Sequence, residues 1–147
     1  MKAYWLGTGS NITVEELKSQ GIDYEQISLS NYQKILDRKK KESCCVHQDE
    51  VNLTLETPNL DAILTKFDKE HDHSLDEVRY VVEGEGIFDI RPLDNSQYDW
   101  MRVHVEQEDY LSVPAGRYHR FLLSEERRIR TIRLFQDNSG WVPQYRE

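Results

Sequence analysis

Cysteine is nearly absent from the chain, and the two that occur, Cys44 and Cys45, are neighbours. A disulfide needs a Cα separation that adjacent residues reach only under strain. No second pair of thiols exists to complete a soft metal site. Both facts count against a disulfide-stapled secreted domain, and a reducing cytoplasm is the expected setting. Long apolar runs are missing as well. None approaches the length that crosses a bilayer, and Met1-Lys2-Ala3-Tyr4-Trp5 lacks the apolar region of a signal peptide. Net positive charge is the third absence. A formal charge of −8 is a poor match for nucleic acid or an anionic membrane, so neither is an expected partner. The one basic run, Arg38-Lys39-Lys40-Lys41, falls in a predicted helix and reads as a solvated face. No internal repeat and no low-complexity tract interrupts the chain.

At 147 residues the chain suits one domain with a substantial core. Aromatic residues make up 10% of it, which argues against general disorder. The N-terminal part alternates short elements. Residues 2–6 read as a strand. Thr13-Val14-Glu15-Glu16 fits a capping box, so a short helix should follow and stop at Gly21. Residues 27–29 read as a weak strand, and Ser30 as the cap of a helix over 31–41. Residues 42–52 show no period and read as loop. Thr57-Pro58 has the form of a helix start, with Leu60, Ile63, Leu64 and Phe67 at helical spacing behind it.

From about Asp68 the pattern changes to alternation. Val78, Tyr80 and Val82 alternate, Glu83-Gly84-Glu85-Gly86 looks like a turn, and residues 87–91 would return as the second arm of a hairpin. Further short strands are expected at 101–105, 110–113, 119–123 and 129–135. Many short strands joined by turns predict an antiparallel sandwich or barrel. The fold class is therefore mainly β with N-terminal helices. A single domain spans 1–147, with 1–66 as decoration and 67–141 as the core.

The chemistry concentrates in Glu70-His71-Asp72-His73, Asp76-Glu77 and Pro114-Ala115-Gly116-Arg117-Tyr118-His119. His71 and His73 alternate, so on one strand both imidazoles face the same way. Glu77 follows closely, and His119 comes just after a tight turn. Three imidazoles and one carboxylate are a borderline-hard donor set for divalent Fe, Ni, Mn or Zn. Four protein ligands on an octahedral ion leave two positions for a chelating substrate, or for a substrate and a small molecule together. His47 and His104 each stand alone and read as surface or internally satisfied histidines. Arg79 lies two residues after Glu77 and shares its side of a strand, with a rim salt bridge to Asp76 or Glu77 as the plain reading. Arg133, between Ile132 and Leu134, is oddly placed for a charge and points to a buried pair or a contact behind the ligands.

These residues carry a family resemblance. His71-X-His73-XXX-Glu77-XXXXXX-Gly84 and Pro114-X-Gly116-XX-His119 are the two cupin motifs. With Glu77-Val78-Arg79-Tyr80, His119-Arg120-Phe121 and Arg133-Leu134-Phe135 added, the chain resembles the acireductone dioxygenase family of methionine salvage, densely from about Phe67 to Trp141. The resemblance implies a cupin double-stranded β-helix, or jelly-roll barrel. It implies one Fe(II) or Ni(II) per chain on His71, His73, Glu77 and His119, with Arg79 orienting an enolate oxygen. Phe67, Phe121, Arg133 and Trp141 would contact substrate, and Glu70 and Asp76 would orient imidazoles or relay a proton. The implied partners are a small-molecule substrate and O2, acting on a cytoplasmic monomer. Iron would give a keto acid and formate; nickel would give carbon monoxide, formate and a shortened methylthio acid. Another mononuclear cupin enzyme, or a non-catalytic small-molecule-binding cupin, shares the same motifs. Two departures stand out. Glu108 occupies a turn position where the family has glycine, and the chain stops soon after Trp141, which would alter the pocket rim.

Overall fold

The computed structural model describes residues 1–43, 45, 47–136 and 143–146. In chain order the elements are β1 (Lys2–Trp5), α1 (Val14–Ser19), β2 (Asp23–Gln26), α2 (Tyr32–Ser43), β3 (His47–Leu53), α3 (Leu60–Phe67), β4 (His71–Asp72), β5 (Glu77–Ile90), β6 (Met101–Glu106), β7 (Asp109–Val113), β8 (His119–Leu123), β9 (Ile129–Phe135) and β10 (Gln144–Tyr145). The structure is mostly β, and every strand pair is antiparallel. Among the described residues no helix is long and apolar enough to cross a membrane.

β5 organises the molecule. Its first half pairs with β7 and β9, and its second half with β6 and β8. One path runs β1-β6-β5-β8-β4-β10; a second joins β2 to β7 and β3 to β9 through the same β5. The expected hairpin at residues 83–86 is therefore corrected: this is one 14-residue strand, bent where it leaves one sheet for the other. A bulge between Val81 and Glu83 marks the bend. An extra residue in a strand shifts the alternation by one. Before the bulge Val78, Tyr80 and Val82 pack into one core cluster with Ile27, Leu36 and Tyr110, leaving Glu77 and Arg79 on the opposite face. After it Phe88 and Ile90 join the other cluster, with Met101, Val103 and Ile129.

Gly84 makes the bend sterically feasible. Its φ is +76°, and a Cβ there would lie 2.2 Å from the Arg128 carbonyl oxygen. Glu108 also adopts a left-handed φ, of 77°, at the turn before β7. Its backbone N–H donates to Val81 O (2.9 Å), its carbonyl accepts from Ile27 N (2.8 Å), and its carboxylate accepts from Leu29 N (2.9 Å). Three ties offset the cost of that conformation.

The N-terminal third follows the local signals in part. Thr13 caps α1 by accepting from Glu16 N at 3.1 Å, and Leu17 is its buried residue. Four expectations shift. The strand predicted at 27–29 lies at Asp23–Gln26, because that stretch pairs with β7 while Ile27 turns into the core. Ser30 does not lead directly into α2; its hydroxyl is bonded to Ser28, and the helix begins at Tyr32. Residues 42–52 read as loop, yet from His47 onward they form β3 along β9. Thr57 and Pro58 form a turn, and α3 starts later, after Asn59 in a left-handed conformation. Strands from the first 66 residues thus extend both halves of the sheet. Within the basic run, Lys39 pairs with Glu25 at 2.7 Å and lies over the Tyr110 ring, so it packs rather than simply facing water.

Gly84→Ala should cost about 3 kcal/mol or more, since it adds left-handed strain to a backbone clash. The urea midpoint is the measurement, with the slope unchanged; a wild-type midpoint would mean that the bend does not depend on this glycine.

Candidate metal centre

His71 opens in β4 directly opposite His119 in β8. His73 follows outside the strand, and Glu77 is the first residue of β5, so the two histidines and the carboxylate do not share one strand as expected. The intervening turn is stitched to the other motif instead. Gly116 N donates to His73 O at 2.9 Å, and Ala115 N donates to Asp76 Oδ1 at 2.8 Å. Gly116 has φ +75°, which the tight turn before β8 uses. Two loops far apart in sequence thereby hold His73 and His119 side by side.

The result is a buried cluster. One donor atom from each of His71, His73, Glu77 and His119 lies within 4.8 Å of all the others. The imidazole centroids are 4.9 Å (His71–His73), 4.6 Å (His71–His119) and 5.4 Å (His73–His119) apart. Ligands on opposite sides of a small divalent ion lie about 4.2 Å apart, twice a metal–nitrogen bond. Two tautomers follow from the backbone. His71 Nδ1 meets Lys69 O at 2.6 Å and His119 Nδ1 meets Arg117 O at 2.9 Å. A carbonyl only accepts, so Nδ1 carries a proton in both rings; this leaves His71 Nε2 with its lone pair toward the cluster, whereas His119 Nε2 shares a further proton with Glu77. With that shared proton removed, three neutral imidazoles and one carboxylate, dry and pre-oriented, fit a borderline divalent ion.

Charge is arranged around Glu77. Arg79 Nη2 donates to its Oε1 at 2.6 Å, and its Oε2 is paired with His119 Nε2. Burial alone would raise the Glu77 pKa, but Arg79 and then His119 hold it well below the usual carboxylate range. Burial works against a charged His119, yet the Glu77 charge and hydrogen bond raise its pKa. Burial depresses His71 and pushes His73 down to about 4. Burial also lowers Arg79, with the nearby Arg133 adding to the effect. Arg133 in turn is held by Asp49 through two bonds, of 2.7 and 2.5 Å.

Those groups sit at one end of a pocket of about 610 Å³, mouth included. The other wall is apolar: Val51, Leu53, Phe67, Phe88, Phe121 and Ile129. Phe67 meets Phe121 edge-on, with ring centres 6.4 Å apart. Of the residues singled out from the sequence, His71, His73, Glu77, His119, Arg79, Phe67, Phe121 and Arg133 all line this one pocket. Trp141 lies outside the described residues. Glu70 is not against an imidazole; its carboxylate takes Arg91 and Arg146. Asp76 likewise holds the Ala115 turn rather than a ring. Val51 and Leu53 in the wall, and Asp49 behind Arg133, carry no motif in the sequence. The only signal for them was Val51-Asn52-Leu53, an alternation too short to reveal a strand. His104 is satisfied by Tyr4 Oη at 3.2 Å, and His47 stacks on Phe135.

The model of the ARD/ARD' family matches residues 6–143. This chain belongs to the ARD/ARD' family. Among its family relatives, a protein of Heterostelium pallidum called acireductone dioxygenase is 38% identical over 143 residues, covering 97% of this chain and 96% of that one. One of the same name from Dictyostelium discoideum is 37% identical, covering 97% of each. The solved acireductone dioxygenase of Bacillus anthracis, with a cadmium ion in its active centre, superposes with a TM-score of 0.91 at 29% identity, covering 98% of this chain and 97% of that one. The ARD/ARD' fold is thus shared over nearly the whole chain.

Metal-free protein should lose stability on acidification from pH 6.5 to about 4. In that window unfolded chains protonate their histidines, whereas folded His73 and His71 resist until lower pH, so the unfolded state gains. His119, shifted the other way, is protonated in both states below pH 6.5 and adds no slope there. Glu77 adds a further loss from its ordinary carboxylate range downward, where unfolded chains take up its proton and the folded protein does not. Thermal melting of chelator-treated protein across this range is the check, and His73→Ala should flatten the dependence.

Proposed function

We propose that this chain is an acireductone dioxygenase, cleaving an enediol ketone with a methylthio tail by means of O2. The observation that carries the proposal is the two-ended pocket: four buried donors and two guanidiniums at one end, and an apolar wall at the other. A substrate with an acidic enediol head and a thioether tail matches both ends. The names of the relatives agree with this chemistry. The fold belonging to the proposal is the cupin double-stranded β-helix, in one domain, with the two halves of β5 bracketing the site.

His71, His73, Glu77 and His119 would hold Fe(II) or Ni(II), one per chain. When bound, the ion supplies the positive charge that makes the enediol acidic and the electronic route by which dioxygen reacts. The protein's own groups do the rest. The His119–Glu77 contact holds a proton that must leave as the site is loaded, so uptake of the ion releases it. Arg79 sits beside Glu77 and faces the pocket, where its guanidinium neutralises and orients an enolate oxygen. Arg133, braced by Asp49, keeps a second positive charge next to it. Phe67, Phe88 and Phe121 exclude water and turn the substrate's face, while Val51, Leu53 and Ile129 receive the tail. Trp141 would complete the wall. Asp76 keeps the turn before His119 in place. The same ligands serve both metals: with iron the products are a keto acid and formate, and with nickel carbon monoxide, formate and the shorter methylthio acid. All four donors come from one chain, so the site needs no partner subunit, which supports the reading of a monomer; its place would be the cytoplasm.

Oxygen uptake with synthetic acireductone should be seen in iron- or nickel-loaded wild type and be lost in His119→Ala. Arg79→Ala should keep its metal and lose activity about 10²–10³-fold; near-wild-type turnover would remove Arg79 from the mechanism. Metal-dependent melting without oxygen uptake would instead identify a binding protein, and turnover of some other enediol a different cupin enzyme.

A further inference from the structure

β4 supplies a donor yet is the shortest element of the site. It is two residues long and meets β8 through one register pair, His71 with His119. So few cross-strand bonds do not by themselves fix an imidazole. The other side of β4 is covered by β10, with Tyr145 opposite His71 and Gln144 opposite Asp72. The Tyr145 ring lies edge-on to the His71 ring, 6.0 Å between centres.

Arg146 fastens that cover. Its backbone N–H donates to Glu70 O at 3.2 Å. Its Nη1 donates to Glu70 Oε2 at 2.9 Å and its Nη2 to Asn95 O at 3.0 Å. The guanidinium lies 4.5 Å from the centre of the Tyr118 ring. Glu70 is anchored from the other direction by Arg91, through bonds of 2.7 and 3.1 Å, and Arg91 stacks on Trp100 at 3.5 Å. One carboxylate is thus gripped by two guanidiniums, one residue before His71. The Arg146 and Glu70 side chains are only 19% and 20% exposed, so the pair is better sheltered than an ordinary surface bridge. Neither lines the pocket, so any effect on the centre is indirect, and the segment nearest to both is the one that carries His71.

We propose that Arg146 and Glu70 are positioning residues for His71: their pairing straps β10 across β4, and this strap sets how tightly the four-donor cluster retains a divalent cation. The proposal rests on the reading that the cluster holds an ion. Its physical basis is the backbone. Lys69 O, which fixes the His71 tautomer, and Glu70 lie on the same short segment. Releasing Arg146 frees that segment, and with it the direction in which His71 Nε2 points.

The test uses the full chain loaded with Co(II), whose visible spectrum reports the bound ion, and follows loss of that spectrum after excess chelator is added. Arg146→Ala and Glu70→Gln should each release cobalt about tenfold faster than wild type, the usual effect of losing a group behind a metal ligand. The double variant should be no faster than either single one, because both break the same strap. Arg146→Lys should recover part of the retention. Arg102→Ala, which removes an arginine from Asp89 without touching β4, should keep the wild-type rate. Wild-type release from Arg146→Ala and Glu70→Gln would overturn the strap alone, as would equally fast release from Arg102→Ala. Failure of wild type to take up cobalt would overturn the metal reading and the strap with it.

Discussion

A carboxylate buried between sheets has to be surrounded by positive charge, and much of this site answers to that demand. Glu77 is 6% exposed. An uncompensated charge at such depth costs several kcal/mol, roughly 3–5 when one partner of a buried pair is removed. Arg79 and His119 provide the compensation within the chain. Arg79 then carries its own burden, because Arg133 is its cross-strand neighbour. Asp49, opposite Arg133 on the next strand, balances that second cation. Carboxylate, guanidinium, guanidinium and carboxylate thus cross β5, β9 and β3 from the centre toward the surface. A divalent cation added at the inner end joins a site already neutralised and dehydrated.

The bulge in β5 is what lets charge and grease share one pocket. A strand with unbroken alternation would send all odd-numbered residues to one face. Glu77 and Arg79 would then face the site while Phe88, even-numbered, faced away. The single extra residue at Val81–Glu83 changes the phase, so both ends of the same strand contribute to the lining. Gly84 allows this because the Arg128 carbonyl occupies the space of its missing side chain. The polar and the apolar lining that β5 contributes therefore trace to one local defect in that strand.

Several elements were legible in the chain because their signals are local. The α1 cap at Thr13, the alternation of Met101, Val103 and Val105, and the spacing of His71, His73 and Glu77 need no distant partner to be read. β3 escaped because only Val51 and Leu53 in it are apolar and inward-facing, and its register is dictated by β9 some eighty residues later. The bend in β5 reads as a hairpin turn in the sequence because glycines serve both purposes; the difference is whether a carbonyl approaches from elsewhere in the fold, as that of Arg128 does. Glu70 and Asp76, expected to orient imidazoles or relay a proton, instead hold Arg91, Arg146 and the Ala115 amide, partners that other elements bring in.

Donor chemistry, family membership and the mainly β character follow from the sequence alone, because residue type, spacing and period act over a few neighbouring positions. Tertiary structure alone decided that the donors converge within 4.8 Å, that β3 and Asp49 complete the pocket's charge and wall, and that Arg146 closes over β4. Each of these depends on pairing between strands distant in the chain. Such pairing is selected by the packing of the whole core, and no short stretch of residues encodes it.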